Sequence, residues 1–212
     1  RIGRQERGIT MDIQIKQGPQ CHTSNCYTYR NGDIKYIVIH FTSNNGDTAL
    51  NNCNYFSGAN RGASAHYFIG DDGIYQSVPD KWAAWAVGGT KIYKHPYCRN
   101  MNSISIEMCS RIGADGKYYI RDGIVEQTIK LTRYLMNKYN VPVENVLRHY
   151  DVWDKKCPEP FVRQPELWED FKRRLTGSED LTMSQYTELK ELIEKQAAEI
   201  ADLKNINKQL VN

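Results

Sequence analysis

Ile34-Lys35-Tyr36-Ile37-Val38-Ile39-His40 is the stretch of this 212-residue chain that decides its fold. Isoleucine, valine and tyrosine dominate it, and residues 36–39 form an uninterrupted apolar run. A short, β-rich apolar run of this kind is typical of a central strand that is buried on both faces of a sheet. The run ends at His40, so we expect an imidazole where the edge of the sheet meets a cleft.

Further strands are predicted on the C-terminal side of this segment. They are short β-rich runs bounded by turn residues, and the first two flank a four-residue turn that is typical of a β-hairpin. The predicted strands are 65–69 and 74–78 around Gly70-Asp71-Asp72-Gly73, then 103–109, and finally 146–149.

Three helices are predicted between and after the strands. Asp47 is expected to cap a short helix that runs to Phe56 and is stopped by Gly58. Asp122 is expected to cap a long helix, and Pro165 to open the last one. Strands and helices mixed in this way predict an α/β domain with one main sheet. The expected apolar faces are Val125, Ile129, Thr132, Met136 and Tyr139 in the long helix, and Leu167, Trp168, Phe171 and Leu175 in the last.

The chain is expected to have three parts. Residues 1–10 contain no apolar core of the kind found in a secretory signal, so they are interpreted as an N-terminal extension or an expression remnant. Residues 11–176 form the predicted catalytic domain. The polar stretch Thr176-Gly177-Ser178-Glu179-Asp180 then marks a boundary, and 177–212 are interpreted as a linker and a helical tail. A chain without a signal is expected to be made in the cytoplasm and to act after release.

Composition and charge indicate which kind of protein and which partners to expect. The apolar fraction of 40% is ordinary for a globular protein, and no run approaches the length needed to cross a bilayer, so no membrane insertion is expected. The net charge of +3 combines −3 in the tail with +6 elsewhere, which suits an anionic polymer. No basic stripe with interleaved aromatic residues is present, so no nucleic acid is expected.

The six cysteines are expected to be reduced thiols rather than disulfides.

Three residues are candidate zinc ligands: His40 at the end of the buried strand, and His149 and Cys157 on either side of one loop. Two neutral imidazoles and a thiolate leave a fourth coordination position open, which is the pattern of a catalytic rather than a structural zinc site. The spacing alone leaves another interpretation open, because the three could be unrelated core or surface residues. Cys21, His22 and Cys26 lack a further ligand and are interpreted as structural.

Four short segments in order carry a resemblance to a known family. They are residues 37–42 (IVIHFT), 63–67 (ASAHY), 102–107 (NSISIE) and 148–158, in which Arg148-His149 precedes Cys157-Pro158. They resemble the motifs of type-2 N-acetylmuramoyl-L-alanine amidases, a family that includes phage endolysins, bacterial autolysins and peptidoglycan recognition proteins. The resemblance covers about 11–175. It implies a mixed central β-sheet flanked by helices, with Zn²⁺ bound by His40, His149 and Cys157 in a surface groove.

The resemblance also implies two catalytic roles. Glu107, which shares a strand face with Ser105 and Cys109, matches a glutamate that takes a proton from the attacking water. Lys155 matches a lysine or threonine that stabilises the oxyanion. The alternatives are a solvated strand carboxylate and an exposed loop lysine. A carboxylate near a cation stays ionised and can act as a general base, which favours the catalytic interpretation of Glu107.

The sequence departs from the family pattern at positions where substrate contacts are expected. Ala65 replaces a tyrosine found in some members, and Trp85-Ala86-Val87-Gly88 replaces Trp-His-x-Gly. His66 is a candidate for the groove or for the core. Trp82, Trp85 and His95, together with Tyr93, either contact the sugar or pack their own loop down.

The predicted reaction is hydrolysis of the amide between N-acetylmuramic acid and the L-alanine of the peptidoglycan stem peptide. The alternative is a non-catalytic peptidoglycan-binding module of the same fold. Binding-only relatives typically lose the cysteine ligand, so the presence of both Cys157 and Glu107 favours an enzyme. A phage or prophage endolysin is the expected type, since no secretory signal is present.

The tail is predicted to form a coiled coil that makes the protein a homodimer. Thr182 and Gln185 fit a capping box, and the following apolar residues recur at alternating spacings of three and four. The alternatives are that this stripe packs on the catalytic domain or frays. The predicted seam consists of Tyr186, Leu189, Ile193, Gln196, Ile200, Leu203, Asn207 and Leu210.

Overall fold

The computed structural model describes residues 13–88, 93–176, 192, 194–200 and 203. The chain divides into two units, Arg1–Thr176 and Gly177–Asn212. Residues 1–10, for which an extension was predicted, lie outside the described residues.

The first unit is built on a mixed six-stranded sheet with the strand order β1-β5-β4-β7-β3-β10. β1 and β5 are parallel, β5 and β4 form the antiparallel hairpin predicted by the sequence, and β4, β7, β3 and β10 are parallel to one another. Two small antiparallel sheets pair β2 with β6 and β8 with β9. The strands are β1 Ile15–Gln17, β2 Cys26–Tyr27, β3 Tyr36–Phe41, β4 Tyr67–Gly70, β5 Gly73–Gln76, β6 Ala83–Ala84, β7 Ser103–Met108, β8 Arg111–Ile112, β9 Tyr118–Tyr119 and β10 Val146–Arg148.

Helices flank this sheet, as the sequence predicts. They are α1 Ala49–Ser57, α2 Asp122–Tyr139, α3 His149–Val152, α4 Glu159–Arg163 and α5 Pro165–Leu175. Short 3-10 helices occupy Thr23–Asn25, Asn100–Asn102 and Val143–Asn145.

The strand β3 is buried along its whole length, which confirms the prediction from its apolar run. Its side chains alternate between two hydrophobic clusters. Ile37 and Ile39 belong to the large core, whereas Tyr36 and Val38 belong to a smaller cluster with Val87, Cys98 and Val152. Because both faces are covered, the strand is fixed in position and its last residues are held at a defined place on the sheet edge.

Two predicted helix caps are wrong by one residue. The side chain that caps α1 is Thr48 rather than Asp47, since its hydroxyl accepts a hydrogen bond from the Asn51 N–H. The Asp72 carboxylate, which comes from the hairpin turn, also accepts the N–H groups of Ala49 and Leu50. This contact fixes the start of α1 against the sheet.

The N-cap of α2 is Arg121, and Asp122 is its first helical residue. The buried face of α2 is rotated relative to the prediction, because Val125, Met136 and Tyr139 are only partly buried. In α5, Leu167 is exposed. The buried residues are Ile124, Thr128, Ile129, Leu131, Thr132 and Leu135 in α2, and Trp168, Phe171 and Leu175 in α5.

All six cysteines have free thiols and are buried. None of the described helices has the length and apolar character that a membrane crossing requires. In the tail, residues 194–200 are helical and exposed, as are Leu192 and Leu203. Most of the predicted coiled-coil seam lies outside the described residues, so self-association stays a prediction.

Candidate metal centre and active site

The carboxyl ends of three parallel strands bring the candidate residues to one edge of the sheet. His40 and Glu107 are direct partners in the register of β3 and β7. On the other side of β3, Arg148 pairs with Ile39 and is followed by His149, the first residue of α3. The strand ladder therefore places two imidazoles and a carboxyl side by side.

The loop after α3 brings Cys157 to the same place. The Tyr150 N–H donates to the Cys157 carbonyl at 2.8 Å, and the Cys157 N–H donates to the Lys155 carbonyl at 2.7 Å. The thiol Sγ lies 3.8 Å from His40 Nδ1, and the His40 and His149 rings are 4.5 Å apart at their centroids. Ligand atoms of His40, His149 and Cys157 all lie within 4.8 Å of one another.

This cluster fits a zinc ion on its own chemistry. The three residues are 2%, 4% and 1% exposed. His40 Nε2 and both ring nitrogens of His149 are buried without a hydrogen-bond partner. Buried polar atoms are costly when unsatisfied, and a cation would satisfy them. Two imidazoles and one sulfur are a donor set that zinc prefers, with one position left for substrate or water.

Burial keeps both imidazoles neutral, the form in which they can bind a metal. It places the pKa of His40 well below its usual value, and the nearby His149 and Lys155 lower it further. Burial and then Lys155 lower the pKa of His149 to about 4. Burial, followed by the Glu107 carboxylate, raises the pKa of the Cys157 thiol. A bound cation reverses this last effect, because a coordinating thiol is deprotonated outright.

Glu107 has the environment of a group that exchanges protons near neutral pH. Its Oε1 lies 3.9 Å from His40 Nδ1, and its Oε2 is buried without a partner. Burial raises the pKa of this carboxyl to about 7, while Lys155 lowers it and Asp47 raises it. A carboxyl with a pKa near the working pH is suited to act as a general base and then as a general acid.

A groove of about 670 Å³ opens beside this cluster, between α1 and the loops that follow β3 and α3. It is called the metal groove below, after the candidate ligands beside it. Glu107, Lys155 and Lys156 contribute to its wall, so the structure brings both predicted catalytic residues to one cavity. Sequence reasoning did not identify the other polar residues of the groove. A signal was present, since α1 carries adjacent asparagines after the motif around His40. These additional lining residues include Asn44, Asp47, Asn51, Asn52 and Tyr55.

His66 belongs to the core, and placing it in the groove is wrong. It is completely buried, and its Nδ1 accepts the Ser105 N–H at 3.0 Å. Its Nε2 lies 3.2 Å from the Trp82 carbonyl and 2.9 Å from the Arg30 guanidinium. Burial and then Arg30 lower the pKa of His66 to about 3, so the ring is neutral and serves to join loops to the sheet.

The described lining of the metal groove includes none of the other predicted substrate contacts. Trp82 packs on the small cluster that contains Cys21 and Cys26, which agrees with the structural interpretation of those cysteines. His95 Nδ1 accepts the N–H groups of Tyr97 and Cys98, and so holds its own loop. Trp85 lines a second cavity, described below.

Fold and site together describe an α/β domain in which three candidate metal ligands lie beside a carboxyl that lines an open groove, an arrangement suited to a metal-assisted hydrolase. Comparison with known proteins identifies the family. Residues 30–160 match the family model of N-acetylmuramoyl-L-alanine amidases (Amidase_2). The chain belongs to this family.

Individual relatives agree with this assignment. A probable N-acetylmuramoyl-L-alanine amidase of Bacillus licheniformis is 33% identical over 149 residues, which are 67% of this chain and 41% of that protein. For the amidase CwlL of the same organism the identity is 29%, over 84% of this chain and 53% of the relative. This chain therefore spans about half the length of the curated relatives it matches.

Solved structures show the same fold. A mutant endolysin from Bacillus subtilis is 26% identical, with a TM-score of 0.60 over 77% of this chain and 99% of that one. The catalytic domain of PlyG is also 26% identical, with a TM-score of 0.64 over 81% of this chain and 98% of that one.

Proposed function

We propose that this chain is a zinc-dependent N-acetylmuramoyl-L-alanine amidase of the endolysin type. Its reaction is hydrolysis of the amide that joins the lactyl group of N-acetylmuramic acid to the L-alanine of the stem peptide. Family membership and the similarity to a Bacillus subtilis endolysin support the substrate class and the type. The observation that carries the proposal is the convergence of His40, His149 and Cys157 beside Glu107 in an open groove.

The three converging side chains hold the metal, and the buried, neutral imidazoles do so without losing a proton. Zinc at this position supplies a Lewis acid that polarises the carbonyl and lowers the pKa of water. Glu107, whose Oε1 lies 3.9 Å from His40 Nδ1, accepts the proton of the attacking water and returns it to the amine that leaves. Lys155, at the groove wall, donates to the oxygen on which negative charge develops.

The test is digestion of purified cell walls, with new amino-terminal alanine measured by amine labelling and zinc measured per chain. We expect about one zinc per chain and release of alanine amino termini without new reducing sugar ends. Cys157→Ser should lose zinc and activity while it stays folded. Cys98→Ser, which changes a buried cysteine outside the triad, is the matched control and should retain both.

Two results would contradict the proposal. A wild-type protein that binds the wall but releases no alanine termini would be a binding module rather than an enzyme. A Cys157→Ser variant that keeps full zinc and full activity would show that the ligand assignment is wrong.

A further inference from the structure

A second cavity, separate from the metal groove, carries an inference about how the substrate polymer is held. Its volume is about 310 Å³, and its described lining is Tyr27, Gly62, Trp85, Gly88 and Asn100. The metal groove is lined by Ala63, the residue that follows Gly62. The two cavities therefore meet the same chain segment at neighbouring residues.

One wall of this second cavity is aromatic and rigidly held. Tyr27 contacts Trp85 edge to face with ring centroids 5.4 Å apart, and Tyr29 lies 5.9 Å from Tyr27. β2 fixes Tyr27, since it pairs with Ala83 of β6. The backbone N–H of Trp85 donates to the Ser64 hydroxyl at 3.0 Å. The aromatic wall is thus preorganised, and Tyr27 is 39% exposed, so that a ligand can contact its ring.

Another part of the described cavity lining is polar and neutral. Asn100 Oδ1 accepts the N–H groups of Ala86 and Val87, at 3.1 and 2.9 Å, which fixes the orientation of its amide. A Cβ added at Gly88 would lie 3.3 Å from Asn100 Nδ2 and 3.2 Å from the Tyr93 hydroxyl. Glycine at position 88 therefore keeps open the space between two hydrogen-bonding groups.

We propose that this cavity is a second glycan subsite that binds an N-acetylhexosamine of the peptidoglycan strand away from the bond that is cut. Aromatic rings together with a neutral amide suit a sugar ring, whose C–H face packs on aromatic rings and whose edges form hydrogen bonds. None of the five described lining residues is charged, which disfavours the stem peptide as the occupant. The volume suits one pyranose. The inference rests on the proposed function, because it assigns to the same substrate a second point of attachment.

The test uses chitotetraose as the probe of the subsite, with binding measured by calorimetry. Two substrates report on its use: intact cell walls and a soluble muramoyl tripeptide, which carries only the sugar next to the bond that is cut. Tyr27→Leu should weaken chitotetraose binding by about fivefold to tenfold and raise KM for walls similarly, without changing kcat/KM for the tripeptide. Tyr27→Phe, which keeps the ring, should behave like the wild type. Tyr119→Leu changes a tyrosine of similar exposure, 42%, elsewhere on the surface and is the matched control.

A second variant guards against a folding effect of Tyr27→Leu. Gly88→Ala leaves the aromatic residues in place but adds a methyl group between Asn100 and Tyr93, and it should produce the same loss. The inference is overturned if chitotetraose does not bind the wild type, or if it binds all the variants equally. A wild type that binds chitotetraose in a Tyr27-dependent way but cleaves neither substrate would contradict the proposed function and leave the subsite standing.

Discussion

Glu107→Gln should change turnover and stability in opposite directions. The side chain is 21% exposed, its Oε2 has no partner, and the substitution preserves its shape. Because the amide cannot accept a proton from water, we expect kcat on cell walls to fall by about 10²- to 10⁴-fold. Zinc content should be unchanged, since the three ligands remain.

The gain in stability follows from the pKa of Glu107 in the metal-free protein. Burial raises this pKa from 4.5 to about 7, so that the ionised carboxylate opposes folding above that range. A difference of this size corresponds to about 3 kcal/mol at most. The folded state loses that stability as the pH rises from about 4.5 through about 7. The amide side chain of the Glu107→Gln variant is neutral at every pH, so the variant should be more stable than the wild type at about pH 8 and equal to it near pH 4.

Urea unfolding of zinc-free protein at both pH values measures this difference. The wild type and the Glu107→Gln variant both keep His40 and His149. The titration of these imidazoles therefore largely cancels when the two unfolding free energies are compared. Glu169→Gln, at an exposed carboxylate on α5, is the control and should change neither turnover nor stability appreciably. If Glu107→Gln destabilises the metal-free protein at the higher pH, or retains wild-type turnover, the account of Glu107 as a buried, unpaired general base is wrong.

Three further predictions address other parts of the chain. Lys155→Ala should lower kcat by about 10²- to 10³-fold, whereas Lys156→Ala, the adjacent groove lysine, should have a far smaller effect; equal losses would contradict the oxyanion role. Asp80 accepts hydrogen bonds from Tyr67, Tyr139, Lys138 and Gln76, so Asp80→Asn should cost about 2–4 kcal/mol in urea unfolding at pH 7. These bonds hold the Asp80 pKa below its usual value against the effect of burial, so the cost should shrink as the pH falls below about 4. Light scattering should give twice the chain mass for the whole chain and a monomer for residues 1–176; a monomeric whole chain at micromolar concentration would end the coiled-coil prediction.

The main sheet was predictable from sequence because its strands carry strong local signals, whereas the candidate metal ligands were identified only through the resemblance of their motifs to a known family. The apolar run at 36–39 is typical of a strand covered on both faces, and β3 is buried along its whole length. The hairpin has its turn residues at the required positions. The spacing of His40, His149 and Cys157 did not by itself predict their convergence, because it depends on the pairing of β3 with β10 and on the loop that carries Cys157.

The placement of aromatic residues between β5 and β7 could not be predicted in the same way. This stretch contains only the two-residue β6 and a short 3-10 helix among its described residues, so no periodicity indicates where its side chains point. Trp85 and His95 take their positions from distant partners: Ser64 for the first, and Tyr36, whose ring meets His95 at 5.0 Å, for the second. The polar side of α1 was missed for a similar reason, because Asp72 of the hairpin helps to set its position.

The register of the parallel strands explains why the active site needs little beyond the core to hold it. His40 and Glu107 lie opposite each other through the same ladder that pairs Ile37 with Ile104 and Ile39 with Ile106. A slip of one residue would send the isoleucines out of the core, and the hydrophobic cost of that change is far greater than any strain at the metal site. The burial that stabilises β3 and β7 therefore also fixes the distance between His40, the candidate metal ligand, and Glu107, the proposed general base. Only Cys157 and Lys155 depend on a loop, so substitutions that loosen residues 150–157 should impair zinc binding before they unfold the sheet.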